Sequence, residues 1–210
     1  MTEEEAKAAL DVSRETLARL EAFVQLLIGE NERQNLVSRG SVRELWSRHI
    51  YDSAQLLRFV RGGFGSWLDL GSGAGFPGLV IAALQQGRVT LVESRKLRAD
   101  FLHEAAQVLQ VEDRVEILCT PVERLQSRAF DVISARAFAP LERLLALGER
   151  FSTAKTLWIL PKGRKAQSEL DAARSSWQGE FRLEPSLTDP DAGIIVAEQV
   201  RRKPRGKKAR

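Results

Sequence analysis

Two kinds of apolar pattern divide the chain. Short, nearly continuous apolar runs predict buried strands, and apolar positions that recur every three or four residues predict amphipathic helices. The predicted strands are 67–70, 88–93, 115–119, 130–134, 156–160, 181–187 and 194–200. The helices predicted between them are 77–84, 96–110, 141–151 and 164–177. Strands that alternate with helices indicate a parallel sheet with helices on both faces, and the last two strands predict a hairpin at one edge.

The residues before the first strand are predicted to be helical. Ser13 is placed to cap a helix that ends within 31–35, and Ser41 and Glu44 match a capping box that begins a helix over 41–60. The predicted architecture is therefore an α/β fold in three parts. These are a helical cap (residues 1–62), a Rossmann-like core with a mostly parallel sheet and an antiparallel edge strand (63–200), and a basic disordered tail (201–210).

A glycine-rich turn joins the first strand to its helix. The segment WLDLGSGAGFPG places Gly71, Gly73, Gly75 and Gly78 directly after the strand. Glycine adopts positive φ easily and lets a ligand approach the backbone, because it has no Cβ. A strand, a glycine turn and a helix in this order present backbone N–H groups and the positive end of a helix to a nucleotide-like ligand. The alternative is a turn that joins strand to helix and binds nothing.

The residues around this turn favour one ligand over another. Phe76 stands where the dinucleotide fingerprint G-x-G-x-x-G has its third glycine. Asp69, two residues before the first glycine, would repel a pyrophosphate and suits an ammonium or a sulfonium. Glu93 ends the next strand, where an acid can accept ribose hydroxyls. S-adenosylmethionine (SAM) therefore fits better than NAD, and the predicted cofactor-binding residues are Asp69, Gly71, Gly73, Gly75, Phe76 and Glu93.

Composition changes this picture mainly at the C-terminus. The formal net charge is +4, but residues 201–210 hold seven of the 32 basic residues and no acid. This tail is predicted either to bind phosphates or to be a solvated end. One cysteine and two histidines disfavour a disulfide framework and a zinc site, so no metal is expected. No apolar run is long enough for a membrane span, and the acidic start is unlike a signal peptide.

Six short motifs carry a resemblance to a known family. They are Asn35-Leu36-x-Ser38, Arg48-His49-Ile50-x-Asp52-Ser53, Leu68 to Gly78, Val92-Glu93-Ser94, Ser134-Ala135-Arg136-Ala137-Phe138 and Lys162-Gly163. With them the chain resembles the RsmG (GidB) family of bacterial small-subunit rRNA guanine-N7 methyltransferases. The resemblance implies a class I methyltransferase in the cytoplasm that uses SAM, releases S-adenosylhomocysteine, and acts on 16S rRNA or the small ribosomal subunit. It also places cofactor contacts on Gly71, Phe76, Val122, Glu123 and Arg136.

The residues that would act on the substrate each have a second interpretation. Arg136 is predicted to position the reactants without acting as a base, and its alternative is a surface ion pair. Phe138 could stack on the guanine or pack in the core. Lys162 could contact a phosphate or be a solvated loop lysine. The basic side chains of Arg201, Arg202 and Lys203 are candidate RNA contacts.

Four functions remain open at this point. The favoured one is methyl transfer to guanine N7, which carries a lone pair and no proton, so that catalysis can be mostly positioning. The others are a SAM-dependent methyltransferase of a small molecule, a catalytically silent RNA-binding protein, and an NAD-dependent oxidoreductase. The expected partner is 16S rRNA or the small subunit, and the expected oligomeric state is a monomer.

Overall fold

The fold is built on one seven-stranded sheet. The computed structural model describes residues 1–204, and the strand order is β3-β2-β1-β4-β5-β7-β6. The strands are β1 Ser66–Leu70, β2 Arg88–Glu93, β3 Val115–Cys119, β4 Val132–Ser134, β5 Leu157–Lys162, β6 Trp177–Pro185 and β7 Gly193–Arg202. The first five are parallel, and β7 is antiparallel to both β5 and β6. The predicted parallel sheet with an antiparallel hairpin at its edge is confirmed.

Seven helices surround this sheet in the described part of the chain. They are α1 Glu3–Ala9, α2 Arg14–Gln34, α3 Asp52–Ala54, α4 Gly78–Leu84, α5 Lys96–Val108, α6 Leu141–Gly148 and α7 Ala166–Ala173. The hydroxyl of Ser13 accepts the Thr16 N–H, as predicted, and Asn35 ends α2 in the left-handed conformation with φ of 48°. Leu97, at the start of α5, is apolar but 68% exposed.

The predicted capping box at Ser41 is wrong. The Glu44 N–H donates to the backbone carbonyl of Ser41, and the Ser41 hydroxyl donates to the carbonyl of Ser38. The reason is that Ser41 has φ of −89° and ψ of −10°, whereas a capping residue needs extended backbone. A 3-10 turn over Val42–Glu44 and a π-helix over Trp46–Tyr51 replace the expected regular helix. π-Helical turns occur frequently at functional sites.

The helical cap shares its hydrophobic core with the α/β part. Phe23 of α2 lies 5.6 Å from the ring of Phe76 and 6.4 Å from that of Phe101, centroid to centroid. Leu20 and Leu27 belong to the same buried cluster as the apolar residues of α4 and α5. The helical cap is therefore fixed against the carboxyl edge of the sheet, where the parallel strands end.

The predicted start of the disordered tail needs correction. Strand β7 continues to Arg202, with Arg201 paired to Gln178 and Arg202 paired to Trp177. The Lys203 N–H donates to the carbonyl of Ser176, so the backbone of this segment is hydrogen-bonded although its side chains are consecutive basic residues. The rest of the tail, residues 205–210, lies outside the described residues. Among residues 1–204, no helix is long and apolar enough to cross a membrane.

Candidate functional site

Three of the four glycines of the turn adopt positive φ, for different reasons. The φ values are +71° at Gly71, +56° at Gly73 and +91° at Gly75. A Cβ on Gly71 would collide with the ring of Phe138, and one on Gly75 would collide with Leu79 in the core. A Cβ on Gly73 would meet no protein atom closer than 3.8 Å. Gly73 therefore faces open space, as expected of a ligand contact, whereas Gly75 serves packing.

The buried carboxylate of Asp69 fixes the glycine turn to the sheet through hydrogen bonds. It is fully buried; its Oδ1 accepts from the Ser134 hydroxyl at 2.7 Å, and its Oδ2 accepts from the Gly78 N–H at 3.3 Å. Burial raises the pKa of Asp69 to about 6, although these hydrogen bonds oppose the rise. The carboxylate fastens β1 to β4 and to the start of α4. This contradicts the prediction that Asp69 meets the ligand directly, since its oxygens face protein donors.

Glu93 supports the turn from the adjacent strand. Its side chain is buried, with Oε2 accepting from the Gly73 N–H at 3.2 Å and Oε1 from the Arg95 N–H at 2.8 Å. A carboxylate offers about four lone-pair sites, so at most two remain for further donors, and the Arg98 guanidinium lies 3.9 Å from Oε2. Glu93 is therefore placed next to Gly73 at the end of β2, as the sequence predicted.

A first cavity of about 590 Å³ opens above the glycine turn. Its floor is formed by residues 71–74 and Phe76, and its sides by Arg98, Arg136 and Ala137. The helical cap supplies the remaining wall, mainly from the cap loop (residues 36–41) together with Arg48 and His49. The cap loop is held in place by the Asn31 side chain, which accepts the Val37 N–H at 2.8 Å.

Arg136 follows β4 and connects the sheet to the helical cap. Its guanidinium donates to the Asp52 carboxylate at 3.3 Å, to the Arg48 carbonyl at 3.1 Å and to His49 Nδ1 at 2.8 Å. It also lies over the ring of Phe76, 5.0 Å from the centroid. An arginine has five N–H donors, so two remain for a ligand. The side chain is only 20% exposed, so the alternative of a surface ion pair is wrong.

His49 is held as a neutral side chain. Its ring stacks on Phe76 with a centroid distance of 5.0 Å, and Nδ1 accepts from Arg136. Burial, and then the charges of Arg136 and Arg48, lower the pKa of His49 to about 3. It packs against Phe76 and supports Arg136.

This arrangement predicts a pH effect on stability. Below pH 6.5 the unfolded chain protonates His49 and the folded chain does not, so the free energy of unfolding falls as the pH falls. One proton changes it by at most about 1.4 kcal/mol per pH unit. His49→Asn retains an acceptor near the position of Nδ1 and cannot titrate. Urea unfolding should show that the free energy of unfolding of the wild type falls relative to that of this variant between about pH 6.5 and 4.5. A difference between the two proteins that does not change with pH would contradict this prediction.

A second cavity of about 530 Å³ lies beside the first. The two share Arg48, Arg136 and Ala137, so Arg136 and Ala137 form a wall between them. Ala137 adopts φ of 53°, an unusual value for a residue other than glycine and one found frequently at functional sites. Phe138 lines the second cavity and rests against Gly71. The roof includes Thr188, whose hydroxyl donates to Asp52 at 2.6 Å.

Lys162 lines this second cavity in a way that the sequence did not predict. Its side chain is 9% exposed, and its ammonium donates to Glu169 at 2.9 Å and to the Ala139 carbonyl at 2.8 Å. It is therefore neither a solvated loop lysine nor free to bind a phosphate. The ion pair joins the end of β5 to α7 and to the loop before α6.

Several predicted residues lie away from these cavities. Gly75 packs in the core, Val122 is buried there, and Glu123 is exposed, 3.9 Å from Arg143. The remaining three are Arg201, Arg202 and Lys203, at the opposite edge of the sheet. β7 starts at the carboxyl edge and runs ten residues away from it. At about 3.3 Å per residue this separates them from the cavities by about 30 Å.

Sequence reasoning missed two walls of the site. The sequence pattern assigns no site role to the cap loop or to the hairpin loop (residues 186–192). Gln55 and Asp52 fix that loop, since Gln55 Oε1 accepts the Leu187 N–H at 2.8 Å. The Arg-His-Ile-x-Asp-Ser motif was the available signal, because its residues contact both Arg136 and this loop. Within residues 1–204 no cluster of potential metal ligands occurs.

Comparison with known sequences gives consistent matches along the whole chain. The model of the GidB family, described as rRNA small subunit methyltransferase G, matches residues 16–187. The ribosomal RNA small subunit methyltransferase G of Rhizorhabdus wittichii is 54% identical, over 100% of this chain and 99% of that protein. The protein of the same name from Novosphingobium aromaticivorans is 55% identical, over 93% of this chain and 88% of that protein.

Comparison with solved structures supports the fold. An O-methyltransferase from Bacillus cereus in complex with SAH superposes with a TM-score of 0.63 at 15% identity, covering 93% of this chain and 96% of that one. A TehB-like SAM-dependent methyltransferase from Corynebacterium glutamicum gives a TM-score of 0.58 at 19% identity, covering 82% and 98%. At these identities the similarity establishes a class I methyltransferase fold.

Proposed function

Because the chain belongs to the family of rRNA small subunit methyltransferase G, we propose that it transfers a methyl group from SAM to N7 of a guanine in 16S rRNA. The observation that carries this proposal is the pair of cavities at the carboxyl edge of the sheet, separated by the wall of Arg136 and Ala137. Open α/β sheets bind their ligands at this edge. Two neighbouring cavities suit a reaction between a bound cofactor and a base.

The first cavity fits SAM. Gly73 leaves the space that any side chain would fill, and Glu93 lies beside it with free lone pairs for hydroxyl donors. Phe76 supplies an apolar surface, and Gly71 and Arg136 complete the wall. When bound, SAM supplies a methyl group on a positively charged sulfur. The contact at Glu93 and those expected at Val122 and Glu123 by resemblance stay predictions, because none of these three residues lines the first cavity.

The second cavity fits a purine base. Phe138 offers an aromatic face for stacking, and the base would be extruded from the RNA to reach it. The two remaining N–H donors of Arg136 suit guanine O6, the acceptor next to N7. The arginine fork is held by Asp52, His49 and the Arg48 carbonyl, so its orientation is set before the substrate arrives. When the reaction needs no covalent intermediate with the enzyme, holding the reactants in a fixed orientation can supply much of the rate enhancement.

Guanine N7 requires no general base, and the carboxylates that line the second cavity are engaged by neighbours: Asp52 by Arg136 and Thr188, Glu169 by Lys162, and Asp189 by Arg48. His49 has Nδ1 committed to Arg136, and Asp69 is buried under the turn. Arginine stays protonated at neutral pH. The lone pair of N7 lies in the ring plane and carries no proton that must be removed. The residues present therefore match methyl transfer to N7 by positioning alone.

We also propose that the enzyme works in the cytoplasm as a monomer. Its proposed substrate is made there, and the large apolar side chains exposed within residues 1–204 are few and scattered: Met1, Leu97 and Leu187. Monomers rarely expose a large contiguous apolar patch. Gel filtration with light scattering tests this state, and a concentration-independent mass of a dimer would contradict it.

The decisive experiment is methyl transfer to small ribosomal subunits that lack the modification. Purified protein, radiolabelled SAM and such subunits should give label in 16S rRNA. Chemical cleavage at 7-methylguanine should then map it to one guanine. Label on small molecules alone would favour the small-molecule methyltransferase. SAM binding and RNA binding without any transfer would favour the catalytically silent protein.

A further inference from the structure

The carboxyl edge of the sheet carries exposed cations beside the mouth of the first cavity. Arg39 lies between Ser38 and Gly40, and all of the cap loop except Arg39 lines that cavity. Arg43 follows two residues after Ser41, in the 3-10 turn. The side chains of Arg39 and Arg43 are both exposed, and within the described residues neither forms an ion pair or a hydrogen bond.

Several other cations at this edge are already paired with carboxylates. Lys162 pairs with Glu169 at 2.9 Å, Arg164 with Asp191 at 2.9 Å, and Lys96 with Asp100 at 2.6 Å. Arg48, which lines both cavities, lies between Glu44 at 3.3 Å and Asp189 at 3.7 Å. Arg39 and Arg43 thus combine uncompensated charge with a position on the rim of the site.

From this placement we propose that Arg39 and Arg43 bind RNA backbone phosphates that flank the target guanine. The proposal rests on the function proposed above. A base that enters the second cavity leaves its phosphates outside, at the rim shared with the first cavity. Arginine binds phosphate oxygens bidentately, and exposed arginines can do so without breaking an existing pair. The cap loop is anchored by Asn31 and by the Ser38–Ser41 hydrogen bonds, so it presents Arg39 from a fixed backbone.

A charge-matched pair of variants tests this assignment. Arg39→Gln/Arg43→Gln removes two charges at the carboxyl edge. Arg61→Gln/Arg88→Gln removes two exposed charges at the opposite edge, where β1 and β2 begin. Binding to protein-free 16S rRNA and to unmodified small subunits is measured over a series of KCl concentrations. Each lost phosphate contact should lower the slope of log affinity against log salt by about 0.7.

The first double variant should lose about 1.4 from the slope on both substrates and keep wild-type SAM affinity in calorimetry. The second should retain the wild-type slope. Equal changes in both would show a general charge effect and overturn the proposal, as would an unchanged slope in the first. An effect on subunits but not on protein-free rRNA would assign the arginines to a ribosomal protein instead. If the wild-type protein methylates no small subunit, the proposed function is wrong. If the wild type methylates subunits but the Arg39→Gln/Arg43→Gln variant keeps the wild-type salt slope, only the inference about these two arginines is wrong.

Discussion

Gly73→Val is expected to lose SAM binding by about 100-fold or more, which corresponds to about 2.7 kcal/mol. The chain should still fold, because a Cβ at this position meets no protein atom closer than 3.8 Å. A branched side chain would instead occupy the first cavity. Isothermal titration calorimetry with SAM and with S-adenosylhomocysteine measures the effect.

Gly62→Val provides the matched control for this substitution. Gly62 has φ of +73°, has no neighbour within 4 Å of a built Cβ, and lies before β1 at the opposite edge of the sheet. Both variants therefore carry a similar backbone strain, about 1–2 kcal/mol. Their melting temperatures should fall by similar amounts, while only Gly73→Val loses the ligand. If the two variants bind SAM equally well, the first cavity is not the SAM site.

The central parallel strands could be predicted from the sequence because their burial leaves a local signal. β2 has the predicted bounds, and β1 begins one residue earlier than predicted. A parallel strand covered on both faces is apolar throughout, so a few adjacent residues suffice to identify it. The end of β7 was harder to delimit, since Arg201 and Arg202 are charged yet paired with the edge strand β6. Where side chains are exposed, charge and strand pairing are compatible, and composition alone does not mark the end of a strand.

The helical cap shows where local pattern fails. A π-turn and 3-10 turns keep apolar positions three to five residues apart, so the pattern over 42–59 resembles that of an ordinary helix. The contacts that decide the backbone there are distant in sequence, as between Asp52 and Thr188 or Arg136 and His49. Such pairs leave no periodic signal. A single sequence shows the residues of such pairs but not which residue contacts which.

The spacing of the glycine turn predicted where the site lies, but it did not predict which of the residues face the cavity and which pack in the core. Spacing identified Gly73, which lines the first cavity, and Glu93, which accepts the Gly73 N–H. The same spacing also suggested Asp69 and Gly75, whose burial against Ser134 and Leu79 depends on packing that spacing does not encode. Lys162 illustrates the same limit, since the ion pair with Glu169 becomes visible only in the fold.

Arg136→Ala should lower kcat/KM for unmodified small subunits by about 10- to 100-fold, because a charge-assisted contact contributes about 1.5–3 kcal/mol. Arg136→Lys should be nearly as damaging. An ammonium retains the charge but lacks the planar fork that serves Asp52, the Arg48 carbonyl and His49 together. Initial rates at varied subunit and SAM concentrations give kcat and both KM values.

Further experiments distinguish a role of Arg136 in positioning the substrate from a role in stability alone. Melting curves identify any variant whose fold is lost, and Arg174→Ala and Arg174→Lys serve as controls, since Arg174 is 52% exposed and 3.7 Å from Asp171. Asp52→Asn tests the support of the fork: it retains an acceptor for Thr188 but weakens the hold on Arg136. Its loss of rate should largely disappear in an Arg136→Ala background, because coupled residues are not additive. Additive losses, or a folded Arg136→Ala that methylates at the wild-type rate, would remove Arg136 from the mechanism and leave it as a link between the sheet and the helical cap.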